Sequence, residues 1–270
     1  MKFFALILCC ATLVPAQEDS RQWLNKGVKA FKANDYAGAV DAFERAVALA
    51  PNEPAPHLYL ASAYASRLMP DAQNPENQVL AAKVAREYQR VLEIEPRNKA
   101  ALVGLANFSF QQKKFDQAKE LSERILAIDP YEKETYYRLG VIAWSKAFPV
   151  RMEARSKVGM RPEEPGPLPP SVRFDVANQN RQIVLDGIRN LEKAIDIDPQ
   201  YDDALAYINL LYRERADLAD TREALPKLCY SRRRICAANP RGQESKKYWI
   251  ANQVIRYASD CNFPCCVYFQ

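Results

Sequence analysis

Lys99–Pro130 reads KAALVGLANFSFQQKKFDQAKELSERILAIDP, and the spacing of its apolar residues decides the fold. Leu102, Leu105, Ala106 and Phe110 recur at helical spacing, and so do Phe115, Ala118, Leu121, Ile125 and Leu126. That period puts each set on one face of a helix. The polar break Gln111–Lys114 separates the two sets, and Asp129-Pro130 closes the second. Ala106 and Ala118 are small where two such helices would cross closely. A hairpin of about 30 residues cannot bury its apolar face alone, so it implies neighbours of the same kind.

Residues 20–51 repeat the pattern. Trp23, Gly27, Ala30 and Phe31 match the first helix. Asn34-Asp35 makes the turn, both residues tolerating turn geometry and able to cap a helix. Tyr36, Ala39, Val40, Phe43, Ala46 and Val47 form the second stripe, and Pro51 stops it, since proline cannot continue a helix without losing a hydrogen bond. Trp23 with Gly27, then Ala39, Phe43, Ala46 and Pro51, resembles the signature of the tetratricopeptide repeat (TPR), whose period is 34 residues. Lys99–Pro130 resembles it through Leu102, Leu105-Ala106, Ala118, Ile125 and Pro130, with Ser122 where an aromatic is usual.

The repeat-ending prolines Pro51, Pro96, Pro130 and Pro199 are separated by 45, 34 and 69 residues. One interval is a bare repeat and two carry extra chain. In the second repeat the excess is the polar stretch Met69–Asn77, between a first helix holding Leu60, Ala61 and Tyr64 and a second helix over Gln78–Glu95. In the fourth, Tyr136, Leu139, Gly140 and Ala143 begin conventionally. SKAFPVRMEARSKVGMRPEEPGPLPPSVRF then reads as an insertion before a second helix at about Asn178–Ile197. Pro162, Pro165, Pro167, Pro169 and Pro170 favour extended, polyproline-like chain there. Asp202–Asp217 supplies a further first helix with Leu205, Ile208 and Tyr212 inward.

The resemblance implies an all-α fold, a right-handed superhelical solenoid of antiparallel helical hairpins. It would hold about four and a half TPR units, two with insertions: 20–53, 54–98, 99–132, 133–201 and a partial 202–221. WSKAFPVRMEARSKVGMRPEEPGP followed by YDDALAYINLLYRERADLAD is similar to a group of uncharacterised exported bacterial TPR proteins. That likeness implies no chemistry.

Composition agrees with a helical, folded body: Gly is scarce at 8 residues, and hydrophobic and charged residues make up 48% and 26%. The first 16 residues, MKFFALILCCATLVPA, look like a secretory signal peptide, with Lys2, an apolar run and a small-residue site at Val14-Pro15-Ala16. The apolar run is shorter than a spanning helix needs. The expectation is an exported chain, periplasmic or secreted, with the array over residues 17–221. The formal charge of +5 is uneven. Residues 222–270 hold nine Lys/Arg and three Asp/Glu, net +6; with Lys2 set aside, the body is 5 − 1 − 6 = −2. A near-neutral body gives no support for nucleic-acid binding.

The tail, residues 222–270, loses the helical stripe and carries Cys229, Cys236, Cys261, Cys265 and Cys266. Without histidine or a paired C-x-x-C, these spacings are not those of a zinc site. The tail reads as an out-of-frame or diverged translation, as disordered chain, or as an exported segment with one or two disulfides. His57, the only histidine, has no Ser or Cys arrangement around it and reads as a surface or packing residue. Neither a phosphate-cradling loop nor a catalytic or metal-ligating set is present in the pattern, so no enzyme, cofactor or metal is expected.

The TPR likeness implies a concave surface lined by the first helix of each hairpin. Its positions would be Leu24, Val28, Phe31 and Lys32; Leu58, Ser62 and Ala65; and Val103, Asn107, Phe110 and Gln111. They continue as Tyr137, Val141, Trp144 and Ser145, then Ala206, Leu210, Arg213 and Glu214. Phe31, Phe110, Tyr137 and Trp144 would form an aromatic strip beside Asn107 and Arg213, and aromatics and Arg are the usual interface anchors. Equally, Phe31 and Trp144 could be covered by the insertions or the next repeat. The set that clamps a peptide carboxylate in some TPR proteins is incomplete, since Val28 and Val103 hold two of its positions. The functional expectation is a scaffold for a protein or peptide partner. The alternative is a structural subunit of an envelope or transport assembly that uses the Pro-rich insertion.

Overall fold

The computed structural model describes residues 14–69, 74–161 and 167–218, with side chains from Ser20 onward. The expectations for the leader before Val14, for Pro162 and Pro165, and for the tail lie outside these residues. Among the described residues every regular element is a helix. In chain order they are α1 (Val14–Lys32), α2 (Tyr36–Leu49), α3 (Pro54–Arg67), α4 (Pro75–Ile94), α5 (Lys99–Gln111), α6 (Phe115–Leu126), α7 (Lys133–Lys157), α8 (Pro170–Ile197) and α9 (Asp202–Asp217). They fall into two compact blocks, Met1–Ile128 and Asp129–Gln270. None of the described helices is long and apolar enough to cross a membrane.

In the N-terminal block, α1 and α5 end in the same way. Asn34 and Lys113 have φ of 60° and 57°. Around them Asp35 N–H donates to Ala30 O and Asn34 N–H to Phe31 O; Lys114 N–H to Ser109 O and Lys113 N–H to Phe110 O repeat the pair. This is the Schellman arrangement, which satisfies the last carbonyls of a helix by passing one residue through the left-handed region. Asparagine tolerates that region; lysine occupies it at a cost. Asp35 then caps α2, accepting from the Gly38 N–H at 2.9 Å.

Packing follows the stripes. Phe43, Leu102, Ile125, Val84 and Val91 are fully buried in one cluster, each contributing about 1.5–3 kcal/mol. Gly27 lets α1 approach α2 so closely that a Cβ there would collide with the Phe43 ring. α4 starts at Pro75, three residues before the sequence-based boundary at Gln78. Asn74 accepts from the Asn77 N–H at 2.7 Å, and Pro75 occupies the first turn, where its missing N–H costs nothing. Asn77 in turn pairs with the Met69 backbone at 3.0 and 3.1 Å, tying off the polar excursion.

The larger departure is in the C-terminal block. Most of the stretch read as an insertion is helix, because both members of the hairpin are lengthened. α7 passes through Pro149 to Lys157, and α8 begins at Pro170 instead of near Asn178. Proline inside a helix costs about 3 kcal/mol. Here Pro149 lies on the exposed side, while Ala147, Arg151, Ala154 and Arg155 are buried. Asn180 of α8 donates to the Ala147 carbonyl at 2.9 Å, so the bent-prone segment is held from across the hairpin. Pro169 keeps the extended backbone expected of it (φ −55°, ψ 147°). α9 packs on both long helices through Ile208, Leu211 and Tyr212.

Candidate functional site

Most of the first-helix positions singled out from the sequence lie partly open in their own block, but Val141 is buried in the core. In the N-terminal block, Phe31 is half-buried and meets Tyr36 edge-on, with ring centroids 5.3 Å apart. Phe110, also half-buried, lies 5.8 Å from Phe115, and Asn107 is exposed on α5. Leu24, Val28, Leu58, Ala65 and Val103 are partly buried against the core and leave a mixed apolar surface.

In the C-terminal block the structure joins Tyr137 and Trp144 through residues the sequence reading did not select. Tyr207 of α9 stands edge-on to both, 5.6 Å from Tyr137 and 5.7 Å from Trp144. Phe148 lies 4.9 Å from Trp144, and Tyr201 lies 5.2 Å from Tyr137. All five rings are half-buried. Trp144 is thus partly covered by the next repeat through Tyr207. Phe148 follows Trp144 by four residues and would have been found had α7 been continued past Ser145. Tyr207 is one residue from Ala206, a single step in helical register.

Burial raises the hydroxyl pKa of Tyr137, and the neighbouring Tyr207, Asp203 and Glu134 add to it. Burial and Asp203 do the same to Tyr207. The Tyr201 hydroxyl donates to Glu134 and is also pushed up, first by burial and then by that carboxylate. Lys133 binds Asp198 at 2.6 Å and lies over the Tyr201 ring at 5.1 Å.

Arg213 is half-buried on α9, but Glu214 does not face outward as its assigned position required. Glu214 is 2% exposed and accepts from Arg151 Nε at 2.8 Å. Arg151 Nη1 also reaches Asp217 at 2.8 Å, and Arg155, 1% exposed, reaches Asp217 at 2.9 Å. Two cations and two anions therefore lock the end of α9 onto the lengthened part of α7. Burial opposes the charge on Arg151, but Glu214 and Asp217 more than offset it. For Glu214 burial wins, holding the carboxyl above its usual range in spite of Arg151.

His57 is buried: Nδ1 lies 2.7 Å from Glu87 Oε2 and Nε2 lies 3.1 Å from the Pro51 carbonyl. It fastens the turn before α3 to α4, which is a packing role. It lines an open hollow of about 630 Å³ with Arg86, Arg90 and Glu93.

Two family models described as tetratricopeptide repeat match residues 20–53 and 76–139. This is a tetratricopeptide-repeat protein. The second match begins at residue 76, at the end of the polar excursion, and stops at Leu139, before α7 lengthens. Among solved structures, MamA is similar at 16% identity and a TM-score of 0.57, over 84% of this chain and 99% of that one. The "MamA 41-end" structure from Desulfovibrio magneticus RS-1 aligns at 14% identity and a TM-score of 0.54, over 83% and 98%. YrrB, described as a TPR protein with an unusual peptide-binding site, aligns at 10% identity and 0.55, over 90% and 93%. Identities this low establish the fold alone, a TPR-type helical solenoid. No curated protein matches the chain.

Proposed function

We propose that this TPR protein is an exported, non-catalytic scaffold that binds a protein or peptide partner on the concave face of its array. The observation that carries this is the half-exposed ring set of Tyr137, Trp144, Phe148, Tyr201 and Tyr207. Tyr137, Trp144, Tyr201 and Tyr207 pack against the core of that block and each leaves part of its ring open, and aromatic rings are common anchors of interfaces. Phe31 and Phe110 offer comparable partly open aromatics in the N-terminal block, where Asn107 is exposed on α5, and Arg213 is half-buried on α9 of the other block. Peptide binding by YrrB is in keeping with the reading. Export is supported by the character of the MKFFALILCCATLVPA leader, and a periplasmic or secreted address follows from it.

The test is capture of partners from a bacterial envelope fraction by the tagged full chain and by a Tyr137→Ala/Trp144→Ala variant. Loss of a partner by tenfold or more supports the face; equal capture removes it. A second reading, a structural subunit docking through its insertion, is favoured by Phe174, which is 71% exposed on the added part of α8. Deleting Pro162–Pro170 would then abolish assembly while sparing capture by the face.

A further inference from the structure

His57 is the only histidine in the chain, and both of its ring nitrogens face acceptors. Nδ1 lies 2.7 Å from Glu87 Oε2 on α4, and Nε2 lies 3.1 Å from the Pro51 carbonyl in the turn between α2 and α3. A carboxylate and a carbonyl only accept, whereas a neutral imidazole has one N–H and one bare nitrogen. Both contacts are therefore hydrogen bonds only while the pair holds a second proton. Arg86 Nε donates to the other Glu87 oxygen at 3.1 Å, so the carboxylate has both oxygens occupied as acceptors and that proton belongs to the ring. The ring and Glu87 are 5% and 6% exposed, but His57 lines an open hollow with Arg86, Arg90 and Glu93, which lets the pair exchange protons with solvent.

Loss of that proton leaves one N–H for two acceptors. The carboxylate is the stronger acceptor and keeps Nδ1–H. The bare Nε2 then faces the Pro51 oxygen, lone pair to lone pair, and the two must part. We propose that His57 is a proton-operated latch on the joint between the first two hairpins, closed while the ring is charged and released from the Pro51 turn when it is neutral. Histidine changes charge between about pH 5 and 8, and that is the window in which the latch works. The closed form holds a proton that the open form lacks, so the turn is held most firmly at low pH and loosens as pH rises. The other charges here are Arg90 and Glu93, paired with each other at 3.0 Å, and Glu53 at the start of α3. Arg90 also donates to Asn52 at 3.0 Å, so a second tie to the turn remains and the release is local. The inference is independent of the aromatic face in the other block.

The test is amide hydrogen exchange of the full chain at the two ends of that window, read as protection factors so that the intrinsic effect of pH on exchange is removed. From the Pro51 turn through α3, the parent is expected to lose roughly tenfold in protection from low to high pH, the worth of one hydrogen bond to a charged group. His57→Gln, whose amide donates to Pro51 without titrating, should change by less than about twofold. Glu87→Gln is the readout that a merely structural histidine would not move. Its amide N–H donates to the bare Nδ1, so the neutral ring keeps Nε2–H on Pro51 and the pH dependence disappears. Nitrogen NMR of the parent with isotope-labelled histidine reports the single ring directly and needs no variant to fold. Both ring nitrogens should be protonated at the low end, and at the high end Nδ1 protonated and Nε2 bare. A flat protection profile in the parent overturns the proposal, as does a Glu87→Gln profile as steep as the parent's. So does a ring that is neutral at the low end, still doubly protonated at the high end, or left with its one proton on Nε2.

Discussion

Replacing Glu214 by Ala removes one of the two carboxylates that hold the end of α9. Arg151, 6% exposed, would then share Asp217 with Arg155, leaving two buried guanidinium groups on one carboxylate. Breaking a buried pair from one side costs about 3–5 kcal/mol. The lower figure applies here, because Asp217 remains within 2.8 Å of Arg151. The assay is amide hydrogen exchange of the full chain, read on α7 and α9. About 3 kcal/mol corresponds to roughly a hundredfold loss of protection on those helices. α1 to α6, in the other block, should keep theirs.

Arg151→Met leaves the opposite defect, a buried carboxyl without its main partner. Burial already raises the pKa of Glu214, and removing Arg151 raises it further. A carboxyl with a raised folded-state pKa contributes stability that is complete below about pH 4.3, its unfolded value, and lost as pH rises through the folded value. Arg151→Met should therefore be strongly destabilised at pH 7 and recover as pH falls toward that range. Arg151→Met with Glu214→Leu removes both charges while Arg155–Asp217 remains, and its stability should return close to that of the parent protein. A loss of protection below threefold in Glu214→Ala would refute this account. So would a double variant as damaged as either single one.

Two further outcomes follow from the backbone and the helix crossings. Lys113→Asn should stabilise the N-terminal block by up to about 1 kcal/mol in urea unfolding, because Asn accepts the left-handed φ that Lys113 adopts at a cost and that Asn34 already occupies in the first hairpin. Gly140→Ala should destabilise the C-terminal block by about 1–3 kcal/mol, since the added Cβ collides with the Leu191 side chain, itself fully buried; a change below 0.5 kcal/mol would show that α7 and α8 separate freely.

The repeat architecture was legible wherever its signals were local. Asn34-Asp35 and Gln111–Lys114 were read as turns from residue type and polarity, and both are Schellman ends. The boundaries of α7 and α8 were not legible, because Pro149 and the prolines after it carry a strong local message and the contacts that override it come from far along the chain. Asn180 is 33 residues from Ala147, and Glu214 is 63 from Arg151. For the candidate face, Tyr137 and Trp144 could be named from period alone. Tyr207 was missed by one step of register, Phe148 by stopping α7 early, and Tyr201 because it precedes a helix.

The sequence by itself determined the helical class, the hairpin unit and its period. Those depend on 3.6-residue spacing, small residues at crossings, caps and terminal prolines, each read within a few positions. Only the tertiary structure decided how far the fourth hairpin extends, which way Glu214 points and which rings share a surface. These outcomes turn on burial between distant segments. There, a local penalty of about 3 kcal/mol at Pro149 yields to the apolar contacts and the four-charge lock gathered by a longer helix.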